Sequence, residues 1–402
     1  MRVLLSEGSG LTSRQVATLL GRAGHEVEVL SSTALCLARF TRHVRRVHAV
    51  PRYGDEPLAW FAAARRTAAN RHIDVLLPTQ EQVAVLSALE PELGLHTVVP
   101  PFPALCRVLD KVSAFETLTD AFVPQPESCI VDDREGIDAV EWFPAFVKRP
   151  IGTASSGVRR VENPQALREA IQELRTAGGR LLVQREMRGP LVMAQAVADH
   201  GRLAAFHANV RVRPGIAGGA SVKESLASPE LEEAVERLSA RLGWHGPLSL
   251  DAILTKDGPR VIDVNPRLVE PMNAWLAGVD LVGATLRLAR GETAERQPAS
   301  RAGVRSRQLL LQLLGAAAEP HGRRRIALEL LNALRSDVGE EELTPLAGDP
   351  IAGLPVAIVV AATLAWPRAW RWFDRGAVGS YALTPAAWQE ILGATGVSPV
   401  AP

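Results

Sequence analysis

Two runs of branched apolar residues, 248–254 and 260–267, flank the step Lys256-Asp257-Gly258, and this arrangement constrains the chain more than any other feature. Asp-Gly between two such runs is a β-hairpin signal. Antiparallel pairing about that turn places Asp251 and Asp263 beside each other at one end of the hairpin. Two carboxylates that close repel unless a cation lies between them. Asp263 and Asn265, two apart, face the same side of a strand and both offer oxygen. Asp251, Asp263 and Asn265 are therefore the expected metal ligands. Magnesium is the expected ion, with manganese as its substitute, because hard oxygen ligands in octahedral geometry suit it. Arg267 continues the row with a planar fork suited to phosphate or carboxylate.

The rest of the chain alternates. Residues 3–6 and 27–30 read as buried strands around a helix at 13–20; a helix at 58–70, a strand at 75–78 and a helix at 81–89 follow. Strand-helix alternation implies a parallel, doubly wound sheet. Gly8-Ser9-Gly10 lacks the third spaced glycine of a dinucleotide fingerprint and reads as a tight turn. Pro124 and Pro126 mark a change of grammar, after which short strands at 145–148 and 181–184 appear. Beyond about residue 295 the chain becomes Arg-rich and helical, with Arg323-Arg324-Arg325, then apolar from 351 to 366.

At 402 residues the chain is long enough for two or three cores. A net charge of +1, from 45 basic against 44 acidic residues, gives no electrostatic footprint for nucleic acid and favours small ligands. The three cysteines, Cys36, Cys106 and Cys129, show no CxxC or Cys/His spacing, so neither a disulfide framework nor a zinc site is expected, and a reducing cytoplasm suits them. The opening apolar run is too short for a signal peptide, which places the start of the chain inside a fold.

A second constellation is Phe146-Val147-Lys148-Arg149-Pro150 followed by the loop 152–157, which holds Thr153, Ser155 and Ser156. A lysine leaving a buried strand into a small, hydroxyl-bearing loop can set one charge and several N–H groups on phosphate oxygens.

With these motifs the chain resembles the ATP-grasp superfamily, especially stand-alone proteins similar to the large subunit of carbamoyl phosphate synthase. The resemblance runs from Met1 to about residue 290, and Asp263-Val264-Asn265-Pro266-Arg267 is its most specific element. It implies an α/β ATP-grasp fold: a doubly wound pre-ATP-grasp domain at 1–112, a small lid at 113–187 and a C-terminal subdomain with the metal site at 188–295; the mainly helical extension at 296–402 lies beyond it. It also implies ATP, with Lys111 and Lys148 on its phosphates and the 152–157 loop closing over them. Gln184 stands at the adenine hinge, where the backbone of Arg185, Glu186 and Met187 would read the ring. An amide there can still accept from an exocyclic amine. Leu191 departs from the acidic residue that would hold the ribose. Lys223 resembles a further phosphate-contacting lysine.

The reaction so implied is transfer of the ATP γ-phosphoryl to a carboxylate, giving an acyl phosphate that an amine attacks. Arg267 is the candidate for orienting the carboxylate, with Arg211 and Arg213 as weaker candidates. Carboxyphosphate chemistry and a non-catalytic ATP-binding scaffold are the alternatives. His207 and His245, lone histidines in apolar segments, read as packing and receive no role. The expected partners are small-molecule carboxylates and amines. The 351–375 segment, with Trp366, Trp370 and Trp372 beside Arg368, Arg371 and Arg375, suggests peripheral membrane contact, against a packed helix or homodimer contact. It is too short to cross a bilayer.

Overall fold

A computed structural model describes residues 1–132, 137, 139–153, 157–175, 179–333 and 339–396. The first sheet holds β1 (Arg2–Leu5), β2 (Glu26–Ser31), β3 (Val44–Ala49) and β4 (Val75–Leu77), all parallel, in the order β3-β2-β1-β4. Val3, Leu4 and Leu5 are fully buried because helices cover both faces of such a sheet. The charged edge strand β3 carries no apolar run and was not read from sequence. The order reverses at β1, so the carboxyl ends of β1 and β4 flank a topological switch point, where open parallel sheets bind ligands.

A small antiparallel sheet follows: β5 (Ser128–Val131), β6 (Ala145–Lys148), β7 (Val158–Val161) and β8 (Leu181–Arg185), in the order β5-β8-β6-β7. The helix Pro164–Leu174 turns Leu167, Ile171 and Leu174 onto Val147, Val161 and Val183, a stripe at helical spacing meeting a strand face.

The large sheet has seven strands in the order β13-β12-β9-β10-β11-β14-β15. They are β9 (Leu191–Asp199), β10 (Arg202–Pro214), β11 (Ala220–Leu226), β12 (Gly246–Thr255), β13 (Gly258–Asn265), β14 (Arg305–Arg307) and β15 (Glu340–Glu341). The hairpin is the β12–β13 pair, closed by Lys256-Asp257 with Gly258 at φ 93°. A residue there must take a positive φ, which glycine does without Cβ clash.

The region expected to be mainly helical also adds β14 and β15 to this sheet. Ser306 turns inward between two arginines and is fully buried, a period-2 pattern only three residues long. The last helix, Pro385–Thr395, packs on the first domain: Leu383, Trp388 and Ile391 share a core with Trp60, Leu86 and Leu105. Among the described residues no helix is long and apolar enough to cross a membrane.

Candidate active site

The hairpin register pairs Asp251 with Asp263 and Ser249 with Asn265. The Asn265 amide donates to Asp251 Oδ2 at 3.3 Å, so all three side chains meet on one face. Lys111 starts the helix Lys111–Asp120, which is capped by Asp110 through the N–H groups of Val112 and Ser113. From that start the Lys111 Nζ reaches Asp263 Oδ1 at 2.6 Å. Lys148, at the end of β6 and buried, places Nζ 2.7 Å from both Gln184 Oε1 and the Ile262 carbonyl.

These charges divide the carboxylate pair. Burial, then the neighbouring Asp263, pushes the Asp251 carboxyl up to about 6. Burial acts the same way on Asp263, but Lys111 and Lys148 outweigh it and hold that carboxyl below its usual value. Burial draws the Lys148 ammonium down to about 8, against the pull of Asp263. One carboxylate has its cation and the other lacks one. Two carboxylates and an amide oxygen form an all-oxygen donor set, and the deficit at Asp251 is what a divalent ion would fill, so the residues fit magnesium.

The other expected residues fall out unevenly. Thr153 is buried, and its Oγ1 accepts from the Leu383 N–H at 3.3 Å. Ser155 and Ser156 lie outside the described residues. Gln184 is buried and donates to Ser128 Oγ at 3.3 Å. The Arg185 N–H donates to the Glu127 carbonyl and the Glu186 N–H to the Pro144 carbonyl, so those two donors are committed to the small sheet. The hinge expectation therefore narrows to the Met187 N–H and the carbonyl oxygens. Arg267 Nε lies 3.3 Å from Glu81 Oε1.

Lys223, expected on phosphate, is a residue of β11, 1% exposed, with Nζ 2.5 Å from Glu270 and 2.9 Å from Glu342. Those two carboxylates overcome burial and raise its ammonium above the ordinary value. Arg213 is likewise held by Glu329, and Arg211 donates to the Gly218 carbonyl at 2.5 Å. His207 is fully buried 2.9 Å from Asn273, with its imidazolium disfavoured by burial to about 4; His245 immediately precedes β12, near Asp199.

Sequence reasoning missed four contributors. Glu81 follows β4, and Tyr53 donates to its carbonyl at 2.9 Å. Glu270 follows Arg267 by three residues. Asn209, on β10 and across β9 from Asp251 in register, is fully buried with both amide atoms unpartnered. Tyr381, from the extension, lies in the field of Arg267, Glu7, Glu81 and Glu270. Only Glu270 carried a local signal, its closeness to Arg267; the others arrive through long-range packing.

Residues 108–271 match the family described as ATP-grasp domain. The chain is 28% identical over 298 residues to a protein of Xanthomonas oryzae pv. oryzae named probable alpha-L-glutamate ligase, covering 70% of this chain and 94% of that one. Its fold is similar to the biotin carboxylase domain of 2-oxoglutarate carboxylase from Hydrogenobacter thermophilus, solved with MgADP, ADP and bicarbonate. That match has a TM-score of 0.60 and 20% identity, over 76% of this chain and 73% of that one. N5-carboxyaminoimidazole ribonucleotide synthetase from Thermus thermophilus matches with a TM-score of 0.57 and 20% identity, over 76% and 81% of the two chains.

Proposed function

We propose that this chain, whose residues 108–271 are an ATP-grasp domain, is an ATP-dependent ligase that activates a carboxylate as an acyl phosphate for attack by an amine. The observation that carries the reading is the facing pair Asp251 and Asp263 with Lys111 and Lys148 converging on it. Asp251, Asp263 and Asn265 would hold magnesium, which when bound neutralises phosphate charge and orients the transferring group. Lys111 and Lys148 supply the remaining positive charge for the phosphates, while Gln184 and Met187 offer polar groups to the adenine edge. Arg267 orients the carboxylate, whose oxygen bonds to the γ-phosphorus as the bond to ADP breaks. The amine nitrogen then attacks the acyl carbon, phosphate leaves and the nitrogen loses a proton. No protein nucleophile is required; catalysis rests on position and charge.

Hydroxylamine trapping tests this: protein, ATP, magnesium and a panel of carboxylates should give a hydroxamate and ADP in equal amounts. Absence of ADP with every acceptor would remove the ligase reading. A second reading, carboxyphosphate formation, is favoured by the likeness to a fold neighbour solved with bicarbonate. ATP hydrolysis that needs bicarbonate and no organic carboxylate would select it.

Two finer proposals concern the extension. Ile351, Leu354, Ile358, Trp366 and Trp372 are exposed, and an apolar face of this kind supports peripheral membrane contact through 351–375, with a homodimer contact as the competing occupant. The Arg375 side chain lies outside the described residues. Flotation with anionic vesicles and light scattering separate the two. Cytoplasmic placement rests on three free cysteines, of which Cys36 is buried.

A further inference from the structure

The turn between β9 and β10 and the residue leading into β12 meet in a cluster well away from the hairpin carboxylates. Gly246, the first residue of β12, stands five positions before Asp251, about 17 Å along a strand. Asp199 ends β9, His200 and Gly201 form the two-residue turn, and His245 immediately precedes β12. The backbone fixes these pieces before any side chain acts. The Gly201 N–H donates to the Trp244 carbonyl at 2.7 Å, and Ala198 stands opposite Gly246 in the β9–β12 register. Trp244 is fully buried, and its Nε1 donates to the Pro247 carbonyl at 3.1 Å. His200 and Gly201 both take positive φ, 46° and 88°, as a type I′ turn demands. Asparagine, aspartate or glycine usually opens such a turn, so the imidazole stands where few side chains do.

On this frame Asp199, His200 and His245 each bring one ligand atom within 4.8 Å of the other two. The two imidazoles stack, with centroids 4.2 Å apart and planes 16° from parallel. His245 Nδ1 is buried and makes no hydrogen bond among the described residues, although Asp199 Oδ1 stands 3.4 Å away. Buried polar atoms are ordinarily satisfied, so this one marks a missing partner. The 3.4 Å separation is close to the edge of a tetrahedron with metal–ligand bonds of about 2.0 Å, which is roughly 3.3 Å. The helix Pro229–Leu242 ends against the same turn, since a Cβ on Gly201 would lie 3.2 Å from the Ser239 carbonyl. The negative end of its dipole favours a cation there.

We infer that Asp199, His200 and His245 form a site for one zinc ion, with water in the fourth position. Two imidazole nitrogens and one carboxylate oxygen are donors that suit zinc, whereas magnesium favours oxygen alone. The ion pins the β9–β10 turn to the entry of β12. This site stands whether or not the chain is a ligase.

The test uses the full chain without an affinity tag, stripped with EDTA and titrated calorimetrically with zinc chloride in a large excess of magnesium. One zinc per chain should bind. His200→Asn preserves the turn, because asparagine tolerates positive φ, and removes one ligand. Zinc affinity should then fall at least about tenfold, the least that losing even an outer partner of a metal ligand costs. His245→Ala and Asp199→Asn should each weaken binding by a similar factor, while Asp263→Asn keeps the zinc. Zinc should raise the thermal midpoint of the original protein and raise that of His200→Asn less at the same concentration. Circular dichroism and ADP binding check that each variant is folded. The inference is overturned if no zinc binds, if magnesium displaces it, if Asp263→Asn abolishes it, or if His200→Asn and Asp199→Asn bind as tightly as the original protein.

Discussion

Asp263→Asn keeps the shape of the side chain and removes the charge that Lys111 and the expected ion share. ADP release should fall on the order of 100-fold, the effect of deleting one preorganised electrostatic partner. Magnesium titration should also show weakened dependence, while ADP alone still binds, since Lys148 and Gln184 are untouched. Lys148 gives a pH prediction. Its ammonium lies near 8, drawn down by burial. Phosphate binds the protonated form, so KM for ATP should be flat below pH 7 and rise as pH passes through about 8. The sign for stability is the opposite: the folded value lies below the ordinary 10.5, so the contribution is present above 10.5 and is lost as pH falls through about 8. Lys148→Arg stays charged throughout and should abolish the rise in KM. A pH-independent KM in the original protein would show that Lys148 does not meet phosphate.

At the level of elements, the β9–β12 pairing holds Asp251 in place, and Gly189 permits it. Gly189 sits at φ 149°, and a Cβ there would stand 2.1 Å from the Leu254 carbonyl. Gly189→Ala should cost ~1–3 kcal/mol, because backbone rather than a pliable side chain must move. The urea midpoint measures the loss. The β12–β13 hairpin was legible for a local reason: a short turn between period-2 runs fixes register within a few residues, and a one-residue slip would send Asp263 to the other face. Lys148 was singled out locally, as a lysine leaving a buried strand, whereas Lys111 entered only through the family resemblance. The two carboxylates around Lys223 were not legible, because β11 is an interior strand of the large sheet and Glu342 comes to it from 119 residues away. Glu81 and Tyr381 were invisible because their partners lie 186 residues away, in one case, and on another domain, in the other. The strand β14 was hidden by its length, since three residues show too little alternation to declare a strand.

Across the whole molecule, the extension is bound into the fold by buried polar links rather than attached at its margin. Arg14 on the first helix pairs with Asp349 at 3.1 Å, with side chains 0% and 1% exposed. Asp349 also accepts from the Thr41 hydroxyl and from the Arg42 N–H at 3.1 Å. Gln15 donates to Glu342 at 2.9 Å, and Glu342 in turn holds Lys223. One chain of buried groups therefore runs from the first domain through the extension to the interior of the large sheet. Burial lowers the Arg14 guanidinium to about 10 even with Asp349 pulling it back, which shows how much that charge depends on its partner. Removing one member of a fully buried pair leaves the other uncompensated, so Asp349→Ala should destabilise the protein by ~3–5 kcal/mol. Asp349→Asn, which retains an acceptor for Thr41 and Arg42, should fall between. Because the links join separate regions, the loss should move a single cooperative unfolding transition, read by tryptophan fluorescence and circular dichroism together. If the extension were a separable appendage, Asp349→Ala would instead split the transition, with the first domain melting at its original midpoint.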